Sequence, residues 1–173
     1  QGVGRSIAQS LAEAGADIVL HGREEQESDS DLLQQIRSHG VKADFIHGDL
    51  IGNTERCIES VFDAAVSANS NIDILVNNAG GLFDVGFLEM DYARFEKTMR
   101  LNVEAPYFLT LRFARRWVEA KTNGRVLFTG SINGRLAEQN HTAYDTSKGA
   151  IEAMVKTLCV ALAPHNVRVN GMA

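Results

Sequence analysis

Three side chains that can move a proton stand close together in the second half of the sequence: Ser131, Tyr144 and Lys148. Tyr144 and Lys148 are four residues apart in the run Ala-Tyr-Asp-Thr-Ser-Lys-Gly-Ala, so a helix places them on one face. Ser131 lies thirteen residues before Tyr144, just after a β-rich run. A cation beside a phenol favours the phenolate, and a nearby hydroxyl can hydrogen-bond a developing negative charge. The set is therefore suited to acid–base chemistry on an oxygen atom.

A fourth polar residue, Asn102, lies inside a predicted long helix that should be interrupted. Pro106 has no N–H, so the carbonyl four residues back, that of Asn102, loses its helical partner. We therefore expect a kink here, with the Asn102 carbonyl free to hold a water molecule. The alternative is that Asn102 only caps the kink and that Pro106 serves packing alone.

Composition and length indicate one soluble globular domain with its own core, because the 173 residues are 45% hydrophobic and 23% charged, with net charge −5. No run of Lys and Arg favours nucleic acid or a membrane surface. No signal peptide and no apolar stretch of roughly 18 residues is present, so we expect a cytoplasmic protein. Cys57 and Cys159 lie in apolar helical patterns, which predict buried free thiols, and no histidine has metal-ligand spacing.

Strands and helices alternate along the whole chain. The predicted strands are 17–21, 43–47, 72–77, 125–129 and 167–170. The helices between them include a first helix that ends at Gly15, a long helix over 92–120 and another over 144–163. This alternation predicts an α/β fold, a doubly wound parallel sheet with helices on both faces. The nearly continuous apolar strands agree with a sheet covered on both sides.

Ser131 followed by Tyr-x-x-x-Lys at 144–148 resembles the motif of the short-chain dehydrogenase/reductase family, and the resemblance extends over nearly the whole chain. The sequence is most similar to the 3-oxoacyl-carrier-protein reductase and glucose-dehydrogenase branches. The resemblance implies a Rossmann-like fold and a catalytic set of Asn102, Ser131, Tyr144 and Lys148. In that set Tyr144 exchanges a proton with the substrate oxygen while a nicotinamide carries hydride, and a water on Asn102 relays protons through Lys148.

The family's glycine-rich turn reads Thr-Gly-x-x-x-Gly-x-Gly and follows the first, central strand. Here only its last two glycines are present, Gly2 and Gly4. The resemblance thus implies that residues 1–173 form a single dinucleotide-binding catalytic domain without the first strand and the C-terminal substrate segment. We expect two sheet edges with unpaired backbone groups, and residues 1–173 alone not to fold into a stable, active monomer.

The resemblance also implies a set of cofactor-binding residues. They are Gly2, Val3, Gly4, Arg23, Asp49, Leu50, Asn77, Ala79, Gly80, Tyr144 and Lys148. A helix N-terminus after a glycine turn suits a pyrophosphate, and Asp49 with Leu50 would meet the adenine. The ordinary alternatives are a tight turn for the two glycines and an Asx turn for Asp49.

The choice between NAD and NADP depends on the residue that ends the family's second strand. Here that strand ends at Gly22, followed by Arg23, and an arginine can grip a phosphate through two parallel hydrogen bonds. We therefore expect NADP, with NAD possible, because Glu24 and Glu25 follow and Gln1 takes a turn position that is often basic in NADP users. A solvated surface charge is the alternative for Arg23.

The resemblance implies an NAD(P)-dependent oxidoreductase that interconverts a carbonyl and a secondary alcohol. The alternatives are an NAD-dependent sugar or polyol dehydrogenase and a catalytically idle nucleotide-binding scaffold. The helix over 144–163 is apolar on nearly every side, which predicts that it is buried on two sides. The sheet would cover one side and another subunit the other, so we expect a homodimer or homotetramer. Several loop residues could line a substrate pocket, although solvated loop positions are more usual: Phe83, Asp84, Arg135, Gln139 and His141.

Overall fold

The computed structural model describes residues 2–23 and 30–173. Gln1, Glu24 and Glu25, which bear on the predicted choice of cofactor, lie outside these ranges. The chain divides into two compact units, Gln1–Asn71 and Ile72–Ala173. Each unit is built from parallel strands and helices.

The first unit contains three helices and two strands. They are α1 (Gly2–Glu13), β1 (Ile18–Gly22), α2 (Ser30–Arg37), β2 (Ala43–His47) and α3 (Thr54–Ala68). β1 and β2 pair in parallel, with Ile18 opposite Ala43. Small and branched apolar side chains from α1, α2 and both strands form a common core, which includes Ala12, Ile18 and Ile36.

The first helix ends where the sequence predicts, at a glycine in left-handed conformation. Gly15 has φ 90°, a value that few other residues adopt readily. The Ala16 N–H donates to the Leu11 carbonyl and the Gly15 N–H to the Ala12 carbonyl, the two bonds of a Schellman motif. The turn directs the chain into β1.

The second unit contains a three-stranded sheet and the long helices. Its elements are β3 (Ile74–Asn77), α4 (Tyr92–Met99), a π-helical turn (Arg100–Glu104), α5 (Ala105–Ala120), β4 (Arg125–Thr129), α6 (Thr142–Leu162) and β5 (Arg168–Met172). The strand order is β3-β4-β5, all parallel. Val126, Phe128 and Val169 are buried between the sheet and its helices, with Trp117 and Phe113 of α5.

All five predicted strands are present, and β2 and β4 have the predicted bounds. The fold is the Rossmann-like α/β class, but its described strands form two parallel sheets, β1-β2 and β3-β4-β5. In the described residues β1 and β3 each pair with one strand only.

The helix predicted over 92–120 is interrupted, as expected, between α4 and α5. The interruption is a π-helical turn, in which the Ala105 N–H donates to the Arg100 carbonyl five residues back. Pro106, which cannot donate a helical hydrogen bond, follows in the first turn of α5. The predicted interruption is therefore present, and Asn102 lies in the middle of it.

The prediction of buried thiols is wrong for one of the two cysteines. Both are free, but Cys57 is partly buried whereas Cys159 is exposed. On α6 the buried side chains end at Met154, so the apolar pattern continues past the part of the helix that other elements cover. No helix in the described ranges is both long and apolar enough to cross a lipid bilayer.

Candidate active site

Tyr144 and Lys148 lie on α6, where their spacing brings them together. The Lys148 ammonium lies 5.6 Å from the centroid of the Tyr144 ring. Its Nζ donates a hydrogen bond of 3.0 Å to the carbonyl of Thr129, the last residue of β4. The lysine is therefore held between α6 and the carboxyl end of β4, the middle strand of its sheet.

The environment of Lys148 is dry. Lys148 is only 7% exposed, and this burial lowers the pKa of its ammonium group below the usual value. A charge removed from water acts more strongly on its neighbours, because less solvent screens it. Lys148 is thus largely shielded from solvent, as a cation must be if it is to act strongly on a neighbouring phenol.

Ser131 follows β4 and lies two residues after the carbonyl that Lys148 contacts. It caps a short 3-10 turn, Ile132–Gly134: its Oγ accepts from the Asn133 N–H at 3.2 Å, and its hydroxyl donates to Asn133 Oδ1 at 3.3 Å. This turn packs on α6, since a Cβ added to Gly134 would stand 3.0 Å from the Lys148 carbonyl oxygen. Ser131 and Lys148 therefore approach the same end of β4.

Asn102 is 2% exposed, and its side chain makes three hydrogen bonds. Its Oδ1 accepts from the Gly81 N–H at 2.9 Å, and its Nδ2 donates to the Gly81 carbonyl at 2.9 Å and to Ser147 Oγ at 3.0 Å. A Cβ on Gly80 would stand 3.3 Å from Asn102 Oδ1 and 3.8 Å from Lys148 Nζ. The π-helical turn thus brings Asn102 to the loop after β3 and to α6.

The run from Asn77 to Gly80 lies at the carboxyl end of β3. Asn77 Nδ2 donates to Thr110 Oγ1 on α5 at 3.0 Å, a contact that ties the end of β3 to α5. The Thr129 hydroxyl donates to Asn78 Oδ1 at 3.1 Å, which joins the ends of β3 and β4. Ala79 and Gly80 are exposed, so their backbone is open to a ligand.

In the first unit, the predicted pyrophosphate residues open α1. Gly2 has φ 57°, and a Cβ there would meet nothing within 4 Å. Gly2 and Val3 are exposed and Gly4 is half-buried. An open helix N-terminus of this kind fits a pyrophosphate, since it offers free N–H groups and the positive end of the helix dipole.

Arg23 and Asp49 follow the carboxyl ends of the two neighbouring parallel strands, β1 and β2, which is where open α/β sheets bind ligands. Arg23 is exposed, and Leu50 is buried. The Asp49 carboxylate accepts from the N–H groups of Ile51 at 3.0 Å and Gly52 at 3.1 Å. Asp49 therefore makes an Asx turn, the ordinary alternative to adenine binding. Its position after β2 is also the one at which the resemblance implies an adenine-binding residue.

Sequence reasoning missed the part that Asp84 plays. Its Oδ2 accepts from the N–H groups of Ala143 at 2.9 Å and Tyr144 at 3.1 Å, so it caps α6. We predicted at most a pocket-lining residue here, because an acceptor 59 residues from its donor leaves no local sequence pattern. Asn133, which holds Ser131, was missed for a similar reason: its side chain is fixed by Asp145, twelve residues away.

Comparison with known proteins agrees with this geometry. The family described as short chain dehydrogenase matches residues 1–173. The chain is 30% identical to L-rhamnose 1-dehydrogenase (NADP(+)) of Thermoplasma acidophilum, over 99% of this chain and 67% of that protein. It is also 30% identical to the 3-oxoacyl-acyl-carrier-protein reductase of Aquifex aeolicus, over 100% of this chain and 68% of that one. The crystal structure of acetoin dehydrogenase from Enterobacter cloacae superposes with TM-score 0.93 at 26% identity, over 100% of this chain and 68% of that one.

The chain therefore belongs to the short-chain dehydrogenase family. It spans about two thirds of the length of the relatives just named. Members of this family are NAD(P)-dependent oxidoreductases that act on alcohols and carbonyl compounds, and the chain is an oxidoreductase of this kind.

Proposed function

We propose that the protein is an NADP-dependent reductase or dehydrogenase that interconverts a small carbonyl compound and a secondary alcohol, with Tyr144 as the general acid and base. The observation that carries the proposal is the buried Lys148 ammonium, 5.6 Å from the Tyr144 ring and tied to the end of β4 beside Ser131. A catalytically idle scaffold would not need a desolvated cation beside a phenol, because burying a charge destabilises the fold.

In the direction of reduction, Tyr144 would donate its proton to the substrate oxygen, and Ser131 would hydrogen-bond that oxygen as negative charge develops. Asn133 would keep the Ser131 hydroxyl oriented through its two hydrogen bonds. When bound, the nicotinamide supplies or accepts the hydride. Lys148 would favour the phenolate by its charge, and a water on the Asn102 carbonyl would pass protons towards Lys148.

For the cofactor, the open N-terminus of α1 at Gly2, Val3 and Gly4 would bind the pyrophosphate, and Ala79 and Gly80 would leave room beside β3. Asp49 and Leu50 would meet the adenine. Arg23 is exposed just after β1, where a guanidinium would favour a 2′-phosphate, so we propose a preference for NADP over NAD. The similar rhamnose dehydrogenase of Thermoplasma acidophilum is named for NADP(+), which supports this choice.

A second candidate, oxidation of a sugar or polyol, is favoured by the name of that same relative. Both candidates are tested in the protein expressed from its whole natural gene, by following the absorbance of reduced nicotinamide with ketones, 3-oxoacyl thioesters and sugars, each with NADP(H) and NAD(H). We expect turnover with at least one class and a higher kcat/KM with NADP(H). Absence of turnover in the whole panel would contradict the proposal, whereas turnover only with sugars, with either cofactor, would select the second candidate.

We also propose that the protein is a homodimer or homotetramer in the cytoplasm, formed through the outer faces of α5 and α6. On α5, Tyr107, Phe108 and Val118 are exposed, and on α6 Val160 is 77% exposed. An apolar face of this kind is costly to leave in water. Light scattering should give a mass of two or four chains, and a monomer at micromolar concentration would contradict the assembly.

A further inference from the structure

The helix that carries Tyr144 takes its N-terminal cap from a distant loop. The residue before α6 is His141, and in the described structure its side chain makes no capping hydrogen bond. The first turn is capped instead by Asp84, whose Oδ2 accepts from the N–H groups of Ala143 and Tyr144. A carboxylate at this position also complements the positive end of the helix dipole.

One of the two donors belongs to Tyr144 itself, so the cap acts directly on its backbone. The carbonyl of Tyr144 is held as well, by the Ser147 hydroxyl, which donates to it at 2.7 Å. Ser147 is fully buried and in turn accepts from Asn102 Nδ2. Tyr144 is thus fixed at its N–H by Asp84 and at its C=O by Ser147.

The two anchors of Tyr144 are joined to each other. Asn102 clamps both backbone groups of Gly81, and Gly81 lies three residues before Asp84 in the same loop. Starting from Asn102, the connections run through Gly81 to Asp84, to the backbone of Tyr144, to Ser147 and back to Asn102. A closed ring of contacts therefore determines where the Tyr144 backbone stands relative to the loop after β3.

Only Oδ2 of the Asp84 carboxylate accepts hydrogen bonds from the described residues. Its Oδ1 is buried and, among the described residues, has no hydrogen-bond partner. Among the described residues, the hydrogen bonds of this carboxylate therefore go to the first turn of α6 alone.

We propose that Asp84 is a positioning residue for the reaction: it acts through the backbone of Tyr144 and sets the place of the Tyr144 phenol. This inference rests on the role proposed for Tyr144. Loss of the cap releases the first turn of α6 and displaces the phenol from the substrate oxygen. Displacement of a reacting group by about 1 Å lowers a rate by up to about a hundredfold.

The test compares Asp84→Ala with Asp84→Asn in the protein expressed from its whole natural gene. Asp84→Ala removes the acceptor, and we expect kcat to fall about tenfold to a hundredfold with little change in the KM for cofactor. Asp84→Asn keeps an oxygen for the two N–H groups, so we expect it to restore kcat to within about threefold of wild type. Asp84→Glu, which retains the charge but moves the acceptor by one methylene, should lie between the two.

The matched control is Asp91→Ala. Asp91 caps α4 through a hydrogen bond from the Arg94 N–H at 2.8 Å, so its loss removes a comparable helix cap from the same unit. We expect a similar fall in thermal midpoint for Asp84→Ala and Asp91→Ala, but a lower kcat only for Asp84→Ala. Equal kcat in these two variants, or no rescue by Asp84→Asn, would overturn the inference.

Two further outcomes separate this inference from the proposed function. If Asp84→Ala does not fold, Asp84→Glu decides, and a wild-type kcat in Asp84→Glu would overturn the positioning role. Tyr144→Phe is assayed beside these variants: if it retains turnover, the role of Tyr144 itself is wrong. An inactive Tyr144→Phe with a fully active Asp84→Ala would contradict the inference about Asp84 alone.

Discussion

The two units hold their predicted site residues in different ways. In the second unit, Asn102 and Lys148 are buried, and both make hydrogen bonds to the backbone of the elements they touch. In the first unit, Gly2, Val3 and Arg23 are exposed at the ends of their elements. The groups expected to do chemistry are thus fixed before any ligand arrives, whereas those expected to bind the cofactor offer open backbone and surface charge.

This difference predicts two kinds of response to substitution. Changes among the buried groups should alter kcat and, in most cases, the free energy of unfolding. Changes among the exposed groups should alter the KM for cofactor and leave the fold nearly unchanged. Lys148 is an exception among the buried groups. Burial of its charge destabilises the fold, so its replacement by an apolar side chain should not lower the free energy of unfolding.

The largest effect on turnover among these variants is expected for Lys148→Met. We expect kcat to fall by about 10²–10⁴, since the phenol loses its neighbouring cation. The thermal midpoint should stay the same or rise, because a desolvated charge is replaced by an apolar side chain of similar length. Lys42→Met, at an exposed position in the first unit, is the control and should change neither quantity. A fall in stability in parallel with activity would show that Lys148 is structural.

Asn102→Leu should produce the largest loss of stability. It removes the partner of both backbone groups of Gly81 and the donor to Ser147 Oγ, which costs about 3 kcal/mol of unfolding free energy or more. Urea denaturation measures this loss, and kcat should fall with it. Asn71→Ala, at an exposed site, should change the free energy by less than about 0.5 kcal/mol. Similar stabilities for the two variants would contradict the clamp around Gly81.

A smaller effect is expected in the first unit. Arg23→Gln should raise the KM for NADPH about tenfold, the equivalent of about 1.4 kcal/mol, with little change for NADH and in the thermal midpoint. Steady-state kinetics with both cofactors checks this expectation. Arg56→Gln, on an exposed part of α3, should leave both KM values unchanged. An equal rise for NADPH and NADH would mean that Arg23 does not read the 2′-phosphate.

The smallest effect is a pH dependence of stability that comes from Lys148. Burial lowers its pKa in the folded protein below the usual lysine value of 10.5, so the unfolded chain binds more protons between those two pKa values. Stability from this group should therefore rise with pH up to about 10.5. The difference in unfolding free energy between wild type and Lys148→Met, measured from pH 7 upwards, should shift in favour of wild type. A difference that is flat with pH would contradict the dry environment of Lys148.

Much of the fold follows from local patterns in the sequence. The glycine at position 15 ends α1, the apolar runs define β2 and β4, and Pro106 predicts the break between α4 and α5. Each of these signals acts within a few residues, through backbone conformation or periodic burial. Features that depend on distant partners could not be found in this way.

The features that the sequence did not predict all depend on residues that are distant along the chain. α6 begins two residues before its predicted start, because Asp84 caps it from the loop after β3. Cys159 fits the apolar pattern of α6, yet it is exposed. Periodicity shows which face of a helix is apolar, but not how much of its length other elements pack against. The backbone role of Asn102 could be proposed from Pro106, but its side-chain clamp could not, because its partners Gly81 and Ser147 are 21 and 45 residues away.

The central claim is that the Tyr144 phenol, placed beside a buried ammonium, transfers the proton during hydride transfer. It is tested most directly by the turnover of Tyr144→Phe, with the Kd for NADPH measured by fluorescence in the same preparation. We expect kcat to fall by about 10³ or more while the Kd for NADPH stays within about threefold of wild type. A Tyr144→Phe protein that retains more than about a tenth of wild-type turnover would contradict the assignment.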